Sequence, residues 1–356
     1  SGMYPTGTRP FEQTNTLSFK VTTVGSTFPA NGVKVNLDGI DVSPNLVVTG
    51  SGSTENVVYP SLLHNAVHTA IITVTNVLGH GISVTNQFDT FAQNNFMFEA
   101  EDFDYNGGQY ISSVNWYPDA YQALAATAGI DFAHNTIAGE QYPYRNGIPQ
   151  SLVQNYVVEA RQVFVNAGAS DYQLDWFGIG DWANYTDVYP TGSFFVYVRT
   201  AGLSGIPFSM NLSQVVSGAG TTNQVLKPLG QFSSIGINQQ SYTWVQLTDA
   251  GLVAPVVLKL GGVSTLQMTT TTGDCYPNYF MLVPAAAINL SVTAVGGNIG
   301  ISFPTQLGAA YRVFYRTNLT SGNWIYFATT LGTGTKVTVN DNPTARGLRF
   351  YKVTSP

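Results

Sequence analysis

The sequence predicts an all-β protein, and three observations support this prediction. Only 10% of the 356 residues are charged, against about 25% in a typical domain. Thr, Ser, Asn, Gly, Tyr and Phe are abundant, and these residue types favour strands and turns over helices. Short runs of alternating apolar and polar residues recur along the chain, separated by turn clusters such as Pro29-Ala30-Asn31-Gly32.

The length of the chain predicts more than one domain. A chain of 356 residues is too long for one ordinary hydrophobic core, and its 44% hydrophobic content is sufficient for several. Changes in the strand pattern place boundaries near residues 92 and 285. We therefore expect three β-sandwich domains in a row, covering residues 1–92, 93–285 and 286–356.

Charge and cysteine usage exclude several classes of partner and site. The net charge is −6 and Lys and Arg are scattered singly, so there is no basic patch for nucleic acid or an anionic membrane. No apolar run reaches the roughly 20 residues of a membrane span. Cys275 is the single cysteine, which excludes an internal disulfide, and no Cys/His spacing is typical of a zinc site.

The first domain, residues 1–92, is predicted from short strands between turn clusters. Alternating runs occur at residues 16–21, 33–37, 46–48 and 69–77. Strands of this length and spacing are typical of a small β-sandwich. The region resembles the immunoglobulin-like spacer domains of large secreted bacterial proteins, and nothing in it indicates a site.

The second domain opens with a dense cluster of charge. The carboxylates of Glu99, Glu101, Asp102 and Asp104 fall within six positions of an aromatic-rich stretch. In an extended segment Glu99 and Glu101 point to one face, where like charges repel unless a cation neutralises them. A structural calcium is one explanation, because calcium prefers oxygen ligands. A solvated strand edge whose charges discourage aggregation is the other.

Four blocks of the second domain follow the order found in one type of binding module. They are Glu99-Ala100-Glu101-Asp102, Gly180-Asp181-Trp182, Val198-Arg199-Thr200-Ala201 and Asn278-Tyr279-Phe280. In this order they resemble carbohydrate-binding modules of the family 6 and 35 type. The resemblance implies a jelly-roll β-sandwich that accompanies glycoside hydrolases and holds a structural calcium.

The resemblance also implies the calcium ligands. Matched to the family motifs, these are Glu99 and Glu101 on the opening strand and Asn278 on the closing strand. Backbone carbonyls would complete the roughly six to eight oxygens that calcium takes. The calcium would join the first and last strands of the domain and would have no catalytic role.

The family's sugar site lies in loops at one end of the sandwich, where aromatic side chains stack on a sugar ring. Its first aromatic residue is matched by Trp176. Gln239 stands where the family has a second tryptophan, and Tyr276 stands where it has an asparagine. We therefore expect Trp176 and Tyr276 to form the site with Gln239 as a polar contact, although burial of Trp176 is an equal alternative. Trp182 and Trp244 lie on strands and are expected in the core.

A long irregular insert, residues 110–156, offers a second candidate surface for a ligand. Irregular segments of this length are uncommon unless they are functional or disordered, and its aromatic residues argue against disorder. The candidate ligand-binding residues are Trp116, Tyr117, Tyr142, Tyr144 and Arg145. The alternative is that the insert covers one sheet with a small core of its own.

The third domain, residues 286–356, is again predicted from short strands. They occur at residues 299–303, 311–316, 324–328, 336–339 and 348–353. Their order resembles the fibronectin type III-like domains near the ends of secreted proteins from Verrucomicrobia-like bacteria. The three domains differ from one another, so the chain is not a repeat array.

These observations favour a non-catalytic polysaccharide-binding module that is secreted or on the surface of a bacterium. The resemblance implies a plant or algal polysaccharide, such as β-glucan or xylan, as the partner. Ser1-Gly2-Met3 is typical of an expression-tag remnant, so we expect the natural chain to be longer and to carry a polysaccharide-degrading catalytic domain.

Two other functions stay open at this point. An adhesion or structural spacer that has lost sugar binding is favoured by Gln239. A glycoside hydrolase or lyase needs two carboxylates about 5 to 10 Å apart across a cleft. Asp171, Asp175 and Asp181 cluster near the expected site, but no nucleophile or histidine base stands out.

Overall fold

The structure is a computed structural model of the whole chain. It describes residues 1–356 except 113, 116–119, 136–143, 150–151, 155–160, 252–254, 286–289, 296, 306–309, 334–335, 344–347 and 355–356. The chain divides into two compact units, one of residues 1–94 with 287–356 and one of residues 95–286. No described helix is both long and apolar enough to cross a membrane.

The all-β prediction is confirmed. The described residues contain 23 β-strands, one short α-helix, α1, at Gln162–Ala167, and a 3₁₀ turn at Ser43–Asn45. This outcome follows from the alternating sequence, since every second residue of a strand can face a core. In the first strand, Leu17–Thr22, Leu17, Phe19 and Val21 are buried and the residues between them are more exposed.

Residues 1–94 form two small sheets around one core. The strands are β1 Leu17–Thr22, β2 Val33–Leu37, β3 Ile40–Asp41, β4 Val47–Ser51, β5 Thr54–Tyr59, β6 Val67–Thr75 and β7 Gly81–Asp89. One sheet has the order β1-β5-β4 and the other β3-β2-β6-β7. Their core contains Leu17 and Val57 from the first sheet and Val35 and Ile72 from the second, as in a β-sandwich.

Residues 287–356 add two three-stranded sheets. Strands β8–β17 belong to residues 95–286 and are described below. The strands of residues 287–356 are β18 Ser291–Val295, β19 Asn298–Pro304, β20 Ala310–Arg316, β21 Ile325–Leu331, β22 Lys336–Asp341 and β23 Phe350–Thr354. Their orders are β18-β19-β22 and β21-β20-β23. A second core forms around Phe303 and Val313, and Leu63 from the first segment packs against it. The two terminal segments therefore form one compact unit with two cores, and their division into two domains stays a prediction.

The middle unit, residues 95–286, carries the candidate site. Its strands are β8 Phe96–Glu99, β9 Phe132–Ala133, β10 Val153–Gln154, β11 Gln173–Leu174, β12 Trp182–Gly202, β13 Pro207–Ser217, β14 Val225–Ile235, β15 Thr243–Gln246, β16 Val257–Thr272 and β17 Cys275–Pro284. The main strand order is β14-β13-β16-β12-β17-β8, and β15 and β9 also pair with β12. The opening strand β8 and the closing strand β17 are neighbours, which is the strand arrangement that a calcium clamp between them would need.

Strand β12 connects two layers of this sheet. Residues 182–195 pair with β16, and residues 194–202 pair with β17. A register shift between Tyr189 and Gly192 contains Pro190, which has no N–H for the ladder, so the strand bends there. Phe232 on β14 packs against Phe280 on β17 with ring centroids 6.1 Å apart, although three strands separate them in the sheet. The sheet therefore folds over its own core as a sandwich.

Phe280 lies at the centre of this core and gives a test of the layered packing. Its ring is fully buried and lies 5.0 Å from that of Phe98 and 5.3 Å from that of Tyr185. Phe280→Ala should lower the free energy of unfolding by about 3–5 kcal/mol, because it removes apolar contacts and leaves a cavity.

Urea unfolding followed by tryptophan fluorescence measures this loss, since four of the five tryptophans lie in the middle unit. Val263→Ala is the control, because Val263 is 65% exposed and its change should cost less than about 0.5 kcal/mol. Equal losses in the two variants would contradict a two-layer core around Phe280.

Candidate functional site

Trp176, Tyr276 and Gln239 come together at one end of the sandwich. Trp176 follows β11, Tyr276 is the second residue of β17, and Gln239 lies in the loop between β14 and β15. The rings of Trp176 and Tyr276 meet edge to face with centroids 5.9 Å apart. The amide Nε2 of Gln239 donates to the Tyr276 hydroxyl at 2.9 Å. The predicted grouping of the three side chains matches this geometry.

The three side chains differ in how far a ligand can reach them. Trp176 is 40% exposed, Gln239 is half-buried and Tyr276 is fully buried. The indole of Trp176 is therefore open to solvent, while the ring of Tyr276 packs against it from inside. Gln239 holds the hydroxyl of this supporting ring. The prediction that Tyr276 contacts a sugar directly does not fit this burial, since none of its surface is exposed.

The backbone at Trp176 is held in an unusual conformation. Its φ of +46° lies in the left-handed region, which is costly for a bulky residue and is typical of functional sites. Hydrogen bonds on both sides hold the loop in place. The N–H of Asp175 donates to the carbonyl of Leu152 at 2.7 Å, and Phe177 and Cys275 exchange two backbone bonds of 3.2 Å. The exposure of the indole is thus a property of an ordered loop.

Asp175, directly before Trp176, is a buried carboxylate at this site. Gln173 Nε2 lies 3.4 Å from one of its oxygens, and the other oxygen is buried with no hydrogen-bond partner in the described structure. Burial raises the pKa of Asp175 to about 6, against the opposing effect of Gln173 and the Trp176 backbone. The sequence places Asp175 near the expected site, where it is a candidate only as a carboxylate of the hydrolase or lyase alternative. The signal available in the sequence is that a carboxylate directly precedes a tryptophan in a chain with few charged residues.

Asp181 organises the loop that carries Trp176. Its carboxylate lies 2.7 Å from His134 Nδ1 and accepts the backbone N–H groups of Asn135 at 2.7 Å and Gly178 at 2.9 Å. Both side chains of the His134–Asp181 pair are almost fully buried. In the Gly180-Asp181-Trp182 block, Asp181 therefore has a structural role, because its carboxylate holds the backbone of the loop.

The core positions predicted for Trp182 and Trp244 are wrong. Both indoles are half-buried, because their neighbours Ala183 and Val245 take the core-facing positions of the strands. Trp244 packs on the outer side against the ring of Tyr279 at 5.4 Å.

The opening acidic strand is buried. Glu99 and Glu101 are 2% and 1% exposed, so the solvated-edge alternative is wrong. Arg161 Nη2 donates to Glu99 Oε2, and the same nitrogen lies 3.8 Å from Asp171 Oδ1. Burial lowers the pKa of Arg161, but the charge and hydrogen bond of Glu99 together with the charge of Asp171 and the nearby Tyr279 outweigh burial and raise that pKa. No sequence pattern indicated Arg161, since nothing local connects it with Glu99.

The calcium ligand set expected from the resemblance does not fit these contacts. Glu99 already contacts a cationic side chain, and the Nδ2 of Asn278 donates to Asp171 Oδ1 at 2.9 Å and to the Tyr172 carbonyl at 2.6 Å. Two buried carboxylate oxygens of the acidic segment, Glu101 Oε2 and Asp102 Oδ2, have no hydrogen-bond partner in the described structure, and such oxygens are what a cation site would offer. Among the described residues, however, no three His, Cys, Asp or Glu side chains are placed to hold a metal.

The insert residues divide into two groups. Trp116, Tyr117 and Tyr142 lie outside the described residues. Tyr144 and Arg145 face the interior: the Tyr144 hydroxyl donates to Asp102, and the Arg145 guanidinium lies 3.9 Å from the Phe103 ring centre. Arg145 also donates to the backbone carbonyl of Phe103. In its described part the insert therefore covers the acidic segment, and these two residues are not placed to meet a sugar.

Comparisons with known proteins give only distant likenesses. No protein-family model matches the chain, and no curated protein matches it in sequence. Among solved structures it is similar to an Arthrobacter globiformis isomalto-dextranase in complex with panose, at 12% identity and a TM-score of 0.26. That likeness covers 77% of this chain and 33% of the other, so the chain spans about a third of the length of that enzyme.

Two further structures are similar at the same level. One is a Paenibacillus sp. cycloisomaltooligosaccharide glucanotransferase with cycloisomaltoheptaose, at 10% identity, 52% and 42% coverage and a TM-score of 0.23. The other is the N-terminal CBM22-1-CBM22-2 tandem domain of Paenibacillus barcinonensis Xyn10C, at 14% identity, 57% and 82% coverage and a TM-score of 0.23. TM-scores this low establish no shared fold, and the site has to be interpreted from its own geometry.

Asp175 should make the stability of the middle unit depend on pH. Its pKa rises from 3.8 to about 6 on folding, so the folded state binds this proton more tightly. The resulting stabilisation is present below about pH 4 and is lost as the pH rises through about 6. We expect the melting temperature to fall by a few degrees between about pH 4 and about pH 6, measured by calorimetry.

Asp175→Asn is the matched control because it keeps the shape of the side chain and removes the titration. Other buried carboxylates titrate in the same range, so the variant should show a smaller fall rather than none. An identical fall in the variant and the wild type would show that Asp175 does not carry this effect.

Proposed function

We propose that the middle unit is a non-catalytic carbohydrate-binding module in which a sugar ring stacks on Trp176. The exposed indole in an ordered, strained loop is the observation that carries this proposal. Pyranose rings present C–H faces that bury well against a flat aromatic surface, while their hydroxyls keep hydrogen bonds at the rim. A large exposed aromatic side chain held in place suits this mode of binding.

Pre-organisation is the second support for the proposal. The ring of Tyr276 packs against the indole, and Gln239 donates to the Tyr276 hydroxyl, so the orientation of Trp176 is set before a ligand arrives. A side chain that is already ordered loses less conformational entropy on binding. Among the described residues of the site, Trp176 is the exposed ring, and one stacking position suits an extended glycan that offers many equivalent sugar units.

The ligand class follows from charge. The chain has 14 Lys and Arg against 20 Asp and Glu, and the loop residues of the site are uncharged or acidic. An acidic polysaccharide would be repelled, so a neutral glycan such as β-glucan or xylan is the proposed partner. We further propose a secreted or surface-bound bacterial protein in which this module accompanies a polysaccharide-degrading domain.

A spacer that no longer binds sugar is the second candidate. The burial of Tyr276 and the engagement of Gln239 with it favour this candidate, because of the three side chains described at the site only Trp176 offers an aromatic surface to a ligand. The two candidates differ in one property, which is retention on a glycan.

Native affinity electrophoresis against a panel of soluble polysaccharides tests the proposal. At least one neutral glycan should retard the wild-type protein, and Trp176→Ala should weaken that retardation at least about tenfold, or about 1.4 kcal/mol, because the stacking surface is lost. Trp176→Phe should retain part of the effect, since a smaller flat ring remains.

Tyr326→Ala is the control, because Tyr326 is an aromatic residue that is 57% exposed outside the middle unit. Its retardation should equal that of the wild type, and the melting temperatures of all variants should be compared. No retardation on any glycan, or unchanged retardation of Trp176→Ala, would favour the spacer.

A further inference from the structure

Arg161 occupies the place where the resemblance expects a metal ion. It lies directly before α1 and is 8% exposed. We infer that the guanidinium of Arg161 replaces the expected calcium and joins the first and last strands of the middle unit without a divalent cation. This inference is independent of the proposed sugar binding.

Arg161 contacts both of these strands. Its Nη2 donates to Glu99 on β8. Its guanidinium carbon lies 3.8 Å from the ring centre of Tyr279 on β17. Glu99 and Tyr279 are direct partners in the β8–β17 ladder, so one side chain spans the junction that a metal clamp would span.

Asn278, the closing-strand residue expected to bind the metal, is linked to the same guanidinium. Its amide donates to Asp171 Oδ1 at 2.9 Å, and that same oxygen lies 3.8 Å from Arg161 Nη2. Asn278 is thus connected to the guanidinium through Asp171. Of the expected metal ligands, Glu99 therefore contacts Arg161 directly and Asn278 contacts it through Asp171.

A guanidinium is physically suited to this position. One face of the group contacts Tyr279, and the ring centre of Phe164 lies 4.8 Å from the guanidinium carbon. Aromatic faces attract a delocalised cation, and arginine is more weakly hydrated than compact cations, so its burial costs less. A calcium ion sharing the Glu99 carboxylate would lie a few Å from this charge and be strongly repelled.

Calorimetry of the full chain in chelator and in excess calcium tests the inference. The wild-type melting temperature should be the same in both buffers, because no metal contributes to the native state. Arg161→Ala should lower it by about 10 °C in both, since it leaves buried carboxylates without their cation. Arg161→Lys should recover part of the loss, because it restores charge but not the planar fork.

Arg199→Ala is the matched control. Arg199 is also a buried arginine of the middle unit that stacks on an aromatic ring, with its guanidinium carbon 5.3 Å from the Trp244 ring centre. Arg161→Ala should be clearly less stable than Arg199→Ala. If Arg161→Ala does not fold, Glu99→Gln removes the same ion pair with little change of shape, and its loss of stability should be equal in chelator and in calcium.

Terbium luminescence gives a readout that does not depend on stability. Terbium is a calcium analogue, and Trp244 and Tyr279 would sensitise an ion bound at Glu99. The wild-type protein should give no saturable signal that calcium displaces. A displaceable signal, or a wild-type melting temperature that falls in chelator and recovers with calcium, would overturn the inference. Equal stability of Arg161→Ala and Arg199→Ala would overturn it as well.

Discussion

The burial of the acidic segment is the constraint on which the middle unit depends. In a chain with few charges, Glu99, Glu101 and Asp102 lie inside the protein, where an unpaired carboxylate is costly. Two arginines bring positive charge to this segment, and both come from the region between β8 and β11. Arg161 pairs with Glu99, and Arg145 lies over Phe103 and contacts the backbone of the same segment. The described part of the insert thus serves the stability of the sandwich.

The Arg161–Glu99 ion pair and the proposed sugar site share the same two segments of the chain. On β17, Asn278 faces the ion pair and Tyr276, two residues earlier, supports the indole of Trp176. In the segment before β12, Asp171 contacts Asn278, and Trp176 follows five residues later. The segment that carries Asp171 therefore both contacts β17 beside the ion pair and leads into the loop that exposes Trp176. If Arg161 joins the two strands, the loop that carries Trp176 is positioned when the chain folds and does not depend on the binding of an ion.

Long-range pairing explains what local patterns could not predict. Glu99 and Arg161 are 62 residues apart, and no periodicity or motif spacing brings such a pair together. Without that contact, two same-side carboxylates on a strand favoured a calcium. In the same way, strand patterns gave no sign that Leu63 packs against the core around Phe303, within the compact unit of residues 1–94 and 287–356.

The sequence by itself determined the fold class and the composition of the candidate site. Alternation of apolar residues is a local property, so it predicted the strands, and the order of motifs predicted that Trp176, Tyr276 and Gln239 would meet. Tertiary structure alone decided their roles. Exposure depends on which face of each loop the rest of the chain covers, so Trp176 meets solvent, Tyr276 lies beneath it, and Arg161 holds the acidic strand. These outcomes follow from packing between distant segments, which no local pattern encodes.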